Sequence, residues 1–250
     1  MQLTGRRYIV TGAGRGIGLA VADAFLAEGA SVAMIDRSFS PEQGRHGQSR
    51  STYICDISQR VAVEATFREA TSKLGGLDGL VNAAGVERRS LAEDIDDAEW
   101  DEVVNVNLRG TFLTNQIAFS YLREKGGRIV NFGSDSGLIP HPGGAHYAAS
   151  KGGVIAWTRS IAAEWGKYGI TANTVLPAMK TPMYEEHRQR FSRDEIKRFD
   201  ESIAARLPIG GQLGDPALDL APVLVFLVSD ASHFITGQLI SVTGGLGNTR

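Results

Sequence analysis

The sequence predicts a single α/β domain with a doubly wound sheet of seven parallel strands and helices on both faces. Short apolar runs alternate with longer helical stretches along all 250 residues, and this alternation requires crossover connections between parallel strands. The apolar runs are continuous, as expected for strands that are covered on both faces. Glycines cluster at the predicted strand ends and not in a linker, which argues against several domains.

The first half of the chain supplies four of these strands. Each is a short apolar run, and glycine-containing turns follow the first and the fourth. The predicted elements in chain order are a strand at Tyr8–Val10, a helix at about Gly16–Glu28, strands at Ser31–Ile35 and Thr52–Cys55, a helix at Gln59–Lys73 and a short strand at Leu80–Val81.

The second half supplies the other three strands and most of the helices. The predicted elements are a helix at about Ala98–Glu124, a strand at Arg128–Phe132, a helix at Tyr147–Lys167, a strand at Ile170–Leu176, helices at Arg193–Ala205 and Asp215–Val228, and a strand at Leu239–Val242. The acidic stretch DIDDAEWDE suits the positive end of the first of these helices. The stretch Glu185–Arg198 mixes both charge signs, which fits a solvated helix pair or a mobile lid. We expect a small substrate lid at about residues 181–207.

Composition and charge exclude several classes of partner. The chain is 42% hydrophobic and 22% charged with a formal net charge of −2, so nothing global attracts it to nucleic acid or to an anionic membrane. The longest apolar run, Ala221–Val228, is too short to span a bilayer, and the N-terminal residues do not resemble a signal peptide. The single cysteine, Cys55, permits no internal disulfide and is expected to be a buried, inert thiol. These features predict a cytoplasmic protein.

A glycine-rich turn follows the first predicted strand, in the stretch YIVTGAGRGIGLA. Gly12, Gly16 and Gly18, with Gly14 as an extra glycine, let the backbone turn tightly and approach a pyrophosphate, which the free N–H groups of the following helix can bind. This is the pattern of a Rossmann-type dinucleotide site. A purely structural turn between strand and helix is the alternative for the glycines alone.

An acidic residue at the end of the second strand strengthens the dinucleotide interpretation. Asp36 lies 18 positions beyond Gly18, where a carboxylate accepts hydrogen bonds from the adenosine ribose and repels a 2′-phosphate. This favours NAD. Arg15 and Arg37 could each pair with a 2′-phosphate, so NADP stays possible.

Tyr147 and Lys151 are four residues apart and share one face of a predicted helix. A free tyrosine has a pKa of about 10, and a lysine ammonium one turn away favours the phenolate and lowers that pKa. The tyrosine then becomes a general acid–base for a carbonyl/alcohol pair, and the lysine could also donate to the cofactor ribose. The alternative is a pair of neighbours on the helix surface.

Two further polar residues fit the same chemistry. Ser134 follows the fifth strand and could hold the substrate oxygen beside the phenol. Asn107 lies in the middle of a predicted helix, where asparagine is unfavourable. It could bond a backbone carbonyl or a water leading to Lys151, or be a satisfied buried amide.

The motifs together resemble those of the short-chain dehydrogenase/reductases. TGAGRGIG, NAAG, VNVNLRG, Ser134, YAASK, NTVLPA and SVTGG occur in the family's order and spacing over essentially the whole chain. The resemblance implies a catalytic set of Asn107, Ser134, Tyr147 and Lys151, with Ser136 as a weaker alternative to Ser134. It implies no metal, and a dimer or tetramer in which the two long helices pack between subunits. The implied cofactor contacts are Gly12, Arg15, Gly16, Ile17, Gly18, Asp36, Arg37, Asp56, Ile57, Asn82, Gly85, Tyr147, Lys151, Pro177, Met179 and Thr181.

We therefore expect an oxidoreductase that transfers a hydride between a nicotinamide cofactor and a secondary alcohol or ketone. Polar candidates for the substrate pocket favour a hydroxylated small molecule such as a sugar or polyol; they are Glu87, Arg88, Asp135, His141, His146 and the segment Thr181–Leu207. The alternatives are an NADPH-dependent 3-oxoacyl-carrier-protein reductase and a non-catalytic nucleotide-binding protein. The latter predicts a damaged catalytic set, whereas all four members are retained here.

Overall fold

A parallel sheet organises the computed structural model, which describes residues 1–40, 49–189 and 192–246, without the side chains at 183 and 187. Within these ranges the sheet has seven strands in the order β3-β2-β1-β4-β5-β6-β7, and all neighbouring pairs are parallel. The strands are β1 Arg7–Thr11, β2 Ser31–Asp36, β3 Arg50–Ile54, β4 Gly79–Asn82, β5 Gly127–Phe132, β6 Ile170–Pro177 and β7 Leu239–Val242. The predicted fold class is confirmed.

The helices cover both faces of this sheet. They are α1 Gly16–Ala27, α2 Arg60–Leu74, α3 Asp97–Val104, α4 Gly110–Leu122, α5 Ala145–Trp165, α6 Pro182–Arg188, α7 Arg193–Arg206 and α8 Ala221–Val228. Helices α1 and α8 pack on one face, and α2, α4 and α5 on the other. In the described part of the chain, no helix has the length and apolarity to cross a bilayer.

The long helix predicted at Ala98–Glu124 is interrupted by a wide, π-helical turn at Asn105–Arg109, between α3 and α4. Asp96 caps the first turn of α3 by accepting a hydrogen bond from the Glu99 N–H at 2.7 Å. Within the wide turn, the carbonyl of Asn107 accepts a hydrogen bond from the Thr111 hydroxyl at 2.7 Å. Wide turns of this kind recur at functional sites, and this one carries a residue of the predicted catalytic set.

Two other helical segments differ from the prediction. The helix predicted at Asp215–Val228 begins with a π-helical turn at Pro216–Leu220, capped by the Asp215 side chain, before the α-helix α8. Helix α6 overlaps the stretch Glu185–Arg198, for which the mixed charges predict either a solvated helix pair or a mobile lid, and no separate helix was predicted from Pro182. Positions 190 and 191 of the predicted lid lie outside the described residues.

The strand order creates the crevice that positions the functional site. The chain leaves β1 in one direction for β2 and β3, and β4 pairs with the other side of β1. In sheets of this type, ligands bind at the carboxyl ends of the strands on either side of such a switch point. The glycine turn after β1 and the NAAG segment after β4 both lie there.

Candidate active site

A cleft of about 490 Å³ opens at the carboxyl ends of β1 and β4. It is lined by most of the residues that the sequence predicts to contact a cofactor: Gly12, Arg15, Gly16, Ile17, Gly18, Asp36, Arg37, Asp56, Ile57, Gly85, Tyr147, Lys151, Pro177 and Thr181. These residues are spread from position 12 to position 181, and the parallel sheet brings them to one edge.

The glycine turn provides a cradle that side chains would fill. Gly12 has φ of +67°, and a Cβ there would lie 2.5 Å from the backbone N of Ala84. A Cβ on Gly18 would lie 2.1 Å from the carbonyl oxygen of Gly12. Because no side chain caps the first turn of α1, its N–H groups are available to an anion. This cradle and the cleft fit the pyrophosphate of a dinucleotide.

The charged end of the cleft lies at Asp36. Its carboxylate accepts hydrogen bonds from the backbone N–H groups of Gly14 at 2.8 Å, Arg37 at 2.6 Å and Ser38 at 3.4 Å. These bonds fix the carboxylate against the glycine turn, where it can accept hydrogen bonds from ribose hydroxyls. The side chain of Arg15, in the same turn, forms an ion pair with Glu186 of α6.

Tyr147, Lys151 and Ser134 meet at the other end of the cleft. The Lys151 ammonium donates a hydrogen bond to the carbonyl of Phe132 at 2.9 Å and lies 5.7 Å from the centre of the Tyr147 ring. Ser134 lies close enough to the Tyr147 phenol to lower its pKa, while its hydroxyl donates to Asp135 at 3.1 Å and accepts from the Ser136 N–H at 3.2 Å. Ser134 and Tyr147 are half-buried, whereas Lys151 is buried. The helical spacing of Tyr147 and Lys151 therefore brings both to one wall.

The pKa values of this pair differ from the expectation drawn from the sequence. Burial is the largest influence on Tyr147 and raises its pKa well above the ordinary value, helped by the negative charge of Glu87 and opposed by the nearby Ser134 hydroxyl. Burial also lowers the pKa of Lys151 to about 8. In the ligand-free protein the pKa of Tyr147 is therefore raised and not lowered, because loss of solvent is the largest influence on it; the effect of Lys151 itself stays a prediction.

Asn107 connects the wide turn to the wall of the cleft that carries Tyr147 and Lys151. Its side-chain oxygen accepts a hydrogen bond from the N–H of Val86 at 2.8 Å, and its amide nitrogen donates to the carbonyl of Val86 at 2.9 Å and the hydroxyl of Ser150 at 3.1 Å. A Cβ on Gly85 would lie 3.2 Å from that oxygen and 3.6 Å from the Lys151 nitrogen. Asn107 therefore binds a backbone carbonyl beside Lys151, as one of its predicted roles requires.

Two predicted cofactor contacts do not line the cleft. Asn82 is 2% exposed, and its amide donates to Asn131 at 2.8 Å while its oxygen accepts from Thr114 at 2.8 Å. Its side chain is therefore used inside the protein. Met179 is buried and lines a separate cleft bounded by Gly214 and Thr243.

Candidates for the substrate pocket also separate into two groups. Glu87 and Arg88 line the cleft, and His141 lies between Ser136, at 3.1 Å, and Glu87, at 3.2 Å. Asp135 instead accepts hydrogen bonds from Ser134 and Ser136. His146 is fully buried with its Nε2 3.0 Å from a Glu99 oxygen, and it does not line the cleft.

Sequence reasoning missed several residues of the cleft wall. Cys55 is buried as expected, and burial raises the pKa of its thiol, but it also lines the cleft. The position of Cys55 directly after β3 could have indicated that it lines the cleft. Arg89, which also lines the cleft, directly follows the predicted pocket residue Arg88. Glu186 gave no such signal, because it meets Arg15 across 171 positions of the chain. Within the described residues, no group of three or more His, Cys, Asp or Glu could hold a metal ion.

Comparisons with known proteins agree with this architecture. The profile of a family described as Enoyl-(Acyl carrier protein) reductase matches residues 12–247. The chain is 34% identical to 3-oxoacyl-(acyl-carrier-protein) reductase FabG of Thermotoga maritima, over 98% of this chain and 99% of that protein. It is 32% identical to levodione reductase of Leifsonia aquatica, over 98% and 95% of the two chains. The ligand-free structure of an aldohexose dehydrogenase from Thermoplasma acidophilum superposes with a TM-score of 0.89 at 29% identity, covering 99% of this chain and 96% of that one.

The buried lysine predicts a pH dependence of stability in the ligand-free protein. The pKa of Lys151 is lowered from 10.5 to about 8, so the unfolded chain holds this proton more tightly than the folded one. Burial of the charged lysine therefore lowers the free energy of unfolding, and this destabilisation is fully present below pH 8. It is relieved as the pH rises towards 10.5, by up to about 1.4 kcal/mol per pH unit. We expect the free energy of unfolding of the native protein to rise between pH 8 and 9.5 relative to that of Lys151→Met, which cannot titrate. Urea unfolding of both proteins measures this, and equal pH slopes would contradict it.

Proposed function

The chain belongs to the short-chain dehydrogenase/reductase family and is an oxidoreductase acting on alcohol and ketone groups, and from this premise we propose that it uses NAD and a hydroxylated small substrate. Tyr147, Ser134, Lys151 and Asn107 would carry out the proton chemistry. The observation that supports these roles is the contact of the Tyr147 and Ser134 side chains beside a buried Lys151, in the cleft that also contains the glycine cradle.

The proposed roles follow from where each group lies. Tyr147 gives a proton to the substrate oxygen in reduction and removes it in oxidation, as a general acid–base. Ser134, which lies beside the phenol, holds the same oxygen. When bound, the nicotinamide supplies or accepts the hydride. Lys151 stabilises negative charge on the phenol, and Asn107 fixes the backbone of Val86 beside the lysine.

The proposed preference for NAD rests on charge at the far end of the cleft. The Asp36 carboxylate is held by three backbone donors, so it cannot readily turn away from a 2′-phosphate. Arg15 is paired with Glu186. Arg37 is exposed and offers a cation that can turn to solvent. An anionic 2′-phosphate would therefore face a fixed carboxylate, whereas ribose hydroxyls would donate to it.

The proposed substrate class rests on the polar wall near Tyr147. Glu87 is half-buried at the cleft, with one oxygen 2.8 Å from Arg89 Nε and 3.2 Å from His141 Nε2. A carboxylate in this position can accept hydrogen bonds from substrate hydroxyls. The likeness to an aldohexose dehydrogenase supports a sugar or polyol, and the likeness to 3-oxoacyl-carrier-protein reductases supports the alternative of an acyl thioester reduced with NADPH.

Replacing Tyr147 by Phe should abolish most turnover. Loss of the phenol proton removes general acid–base catalysis, worth about 10²–10⁴-fold, and leaves the ring in place. Steady-state rates measure the loss, and calorimetric titration with the nucleotide should show nearly unchanged affinity. Tyr121→Phe, on the exposed part of α4, is the matched control and should keep native rates. Substantial residual activity in Tyr147→Phe would contradict the assignment.

A panel of substrates with both cofactors tests the proposed specificity. We expect oxidation of sugars or polyols with NAD⁺ at higher kcat/KM than with NADP⁺, because of the fixed Asp36 carboxylate. The panel should include hydroxyacyl thioesters, cyclic alcohols and steroids. A higher kcat/KM for 3-oxoacyl thioesters with NADPH would favour the alternative function.

We also propose that the protein is a homo-oligomer. Aromatic rings of α4 and α5 pack together, with Phe112 and Trp157 5.3 Å and Phe119 and Trp165 4.7 Å apart between ring centres; Trp165 is buried and the other three are half-buried. Tyr168, next to this group, is 38% exposed. Partly exposed aromatic side chains on neighbouring helices are typical of an interface. Light scattering should give the mass of a dimer or tetramer, and a monomer at micromolar concentration would contradict this. The cytoplasmic location stays a prediction.

A further inference from the structure

Glu186 of α6 reaches back to the glycine turn. Arg15 donates from Nη1 to Oε1 of Glu186 and from Nη2 to Oε2 at 3.4 Å. Both side chains line the cleft. Pro182, at the start of the same helix, lies beside the turn, since a Cβ on Gly16 would be 3.4 Å from its Cδ. Helix α6 is therefore seated over the entrance of the nucleotide cradle.

This contact governs the charge that a nucleotide meets at the Asp36 end of the cleft. The charged residues lining that end are Arg15, Asp36, Arg37, Asp56 and Glu186. Arg15 belongs to the turn whose Gly14 N–H binds the Asp36 carboxylate, so its backbone is fixed beside the ribose position. An unpaired guanidinium there would be a strong ligand for a phosphate monoester, which it can bind through two parallel hydrogen bonds.

We propose that Glu186 is a cofactor-specificity residue, which holds Arg15 away from a 2′-phosphate and so excludes phosphorylated dinucleotides. Asp36 repels the phosphate directly, and Glu186 forms an ion pair with Arg15, the cation that could offset that repulsion. This inference rests on the proposed preference for NAD. It assigns to the lid helix a role in cofactor choice in addition to the predicted role in covering substrate.

Solvent exposure of Arg15 and Glu186 limits how strongly their ion pair can affect the choice of cofactor. The side chains of Arg15 and Glu186 are 58% and 54% exposed, and ion pairs in water are individually weak. Release of Arg15 should therefore change the discrimination between the two nucleotides by about 2- to 5-fold, the scale of one exposed ion pair, and should not reverse it while Asp36 remains.

Binding of small nucleotides to the ligand-free protein tests the proposal without turnover. Adenosine 2′,5′-bisphosphate and adenosine 5′-monophosphate differ by the 2′-phosphate, and calorimetry gives both dissociation constants. We expect Glu186→Gln to shift the ratio of these two dissociation constants by about 2- to 5-fold in favour of adenosine 2′,5′-bisphosphate. The ratio of kcat/KM for NADPH and NADH should shift in the same direction. An unchanged ratio would overturn the proposal.

Two further variants identify the cause of any shift. Glu185→Gln removes the neighbouring charge on α6, which pairs with Lys180 and Arg188 and does not line the cleft, and it should leave the ratio at the native value. In Arg15→Gln/Glu186→Gln the shift should disappear. A shift that persists in this double variant, or appears in Glu185→Gln, would show a general effect of charge and would refute capture of Arg15.

The outcomes also separate this inference from the proposed function. If the native protein binds adenosine 2′,5′-bisphosphate more tightly than adenosine 5′-monophosphate, and prefers NADPH to NADH, the proposed NAD preference is wrong. If it prefers NADH and Glu186→Gln leaves the ratio unchanged, the preference stands and only the role of Glu186 is wrong.

Discussion

The close approach of two backbone segments at the switch point of the sheet is the constraint on which the site depends. Gly12 has a left-handed conformation, and any side chain there would meet the backbone of Ala84 after β4. A side chain on Gly18 would meet Gly12 itself. Glycine is therefore required for β1 to turn into α1 this close to β4. The tight turn leaves the first N–H groups of α1 facing a cleft that the NAAG segment closes from the other side.

Buried amides hold the opposite wall in register with this turn. Asn82 and Asn131 bridge β4 and β5, and Asn115 joins them from α4, exchanging hydrogen bonds with Asn131 at 2.9 and 3.1 Å. Asn107 makes the equivalent connection between the wide turn and the chain after β4. Buried polar groups cost free energy unless they are paired, so these side chains favour one relative placement of strands and helices. Tyr147 and Ser134 gain their fixed separation from that placement.

The parts predicted from sequence are those set by local pattern or by the topology. Periodicity gave the strands, and parallel strands necessarily bring Asp36, Asn82 and Ser134 to one edge of the sheet. Spacing alone put Tyr147 and Lys151 on one face of α5. The direction of the Asn82 amide and the contact of Arg15 with Glu186 depend on partners far away in the chain, which no local pattern reports. Asparagine is unfavourable in the middle of the predicted long helix, but the wide turn was not predicted, because its geometry depends on the bonds that Asn107 makes outside the helix.

The ionisation of the catalytic pair follows from the same burial. In the ligand-free cleft, burial favours the neutral phenol and lowers the pKa of Lys151 to about 8, because neither charge is fully solvated. A phenolate beside an ammonium would form an ion pair that offsets part of this cost, and further positive charge in the cleft would add to the effect. In the proposed mechanism, the acid–base strength of Tyr147 therefore depends on the positive charge that a bound cofactor brings into the cleft.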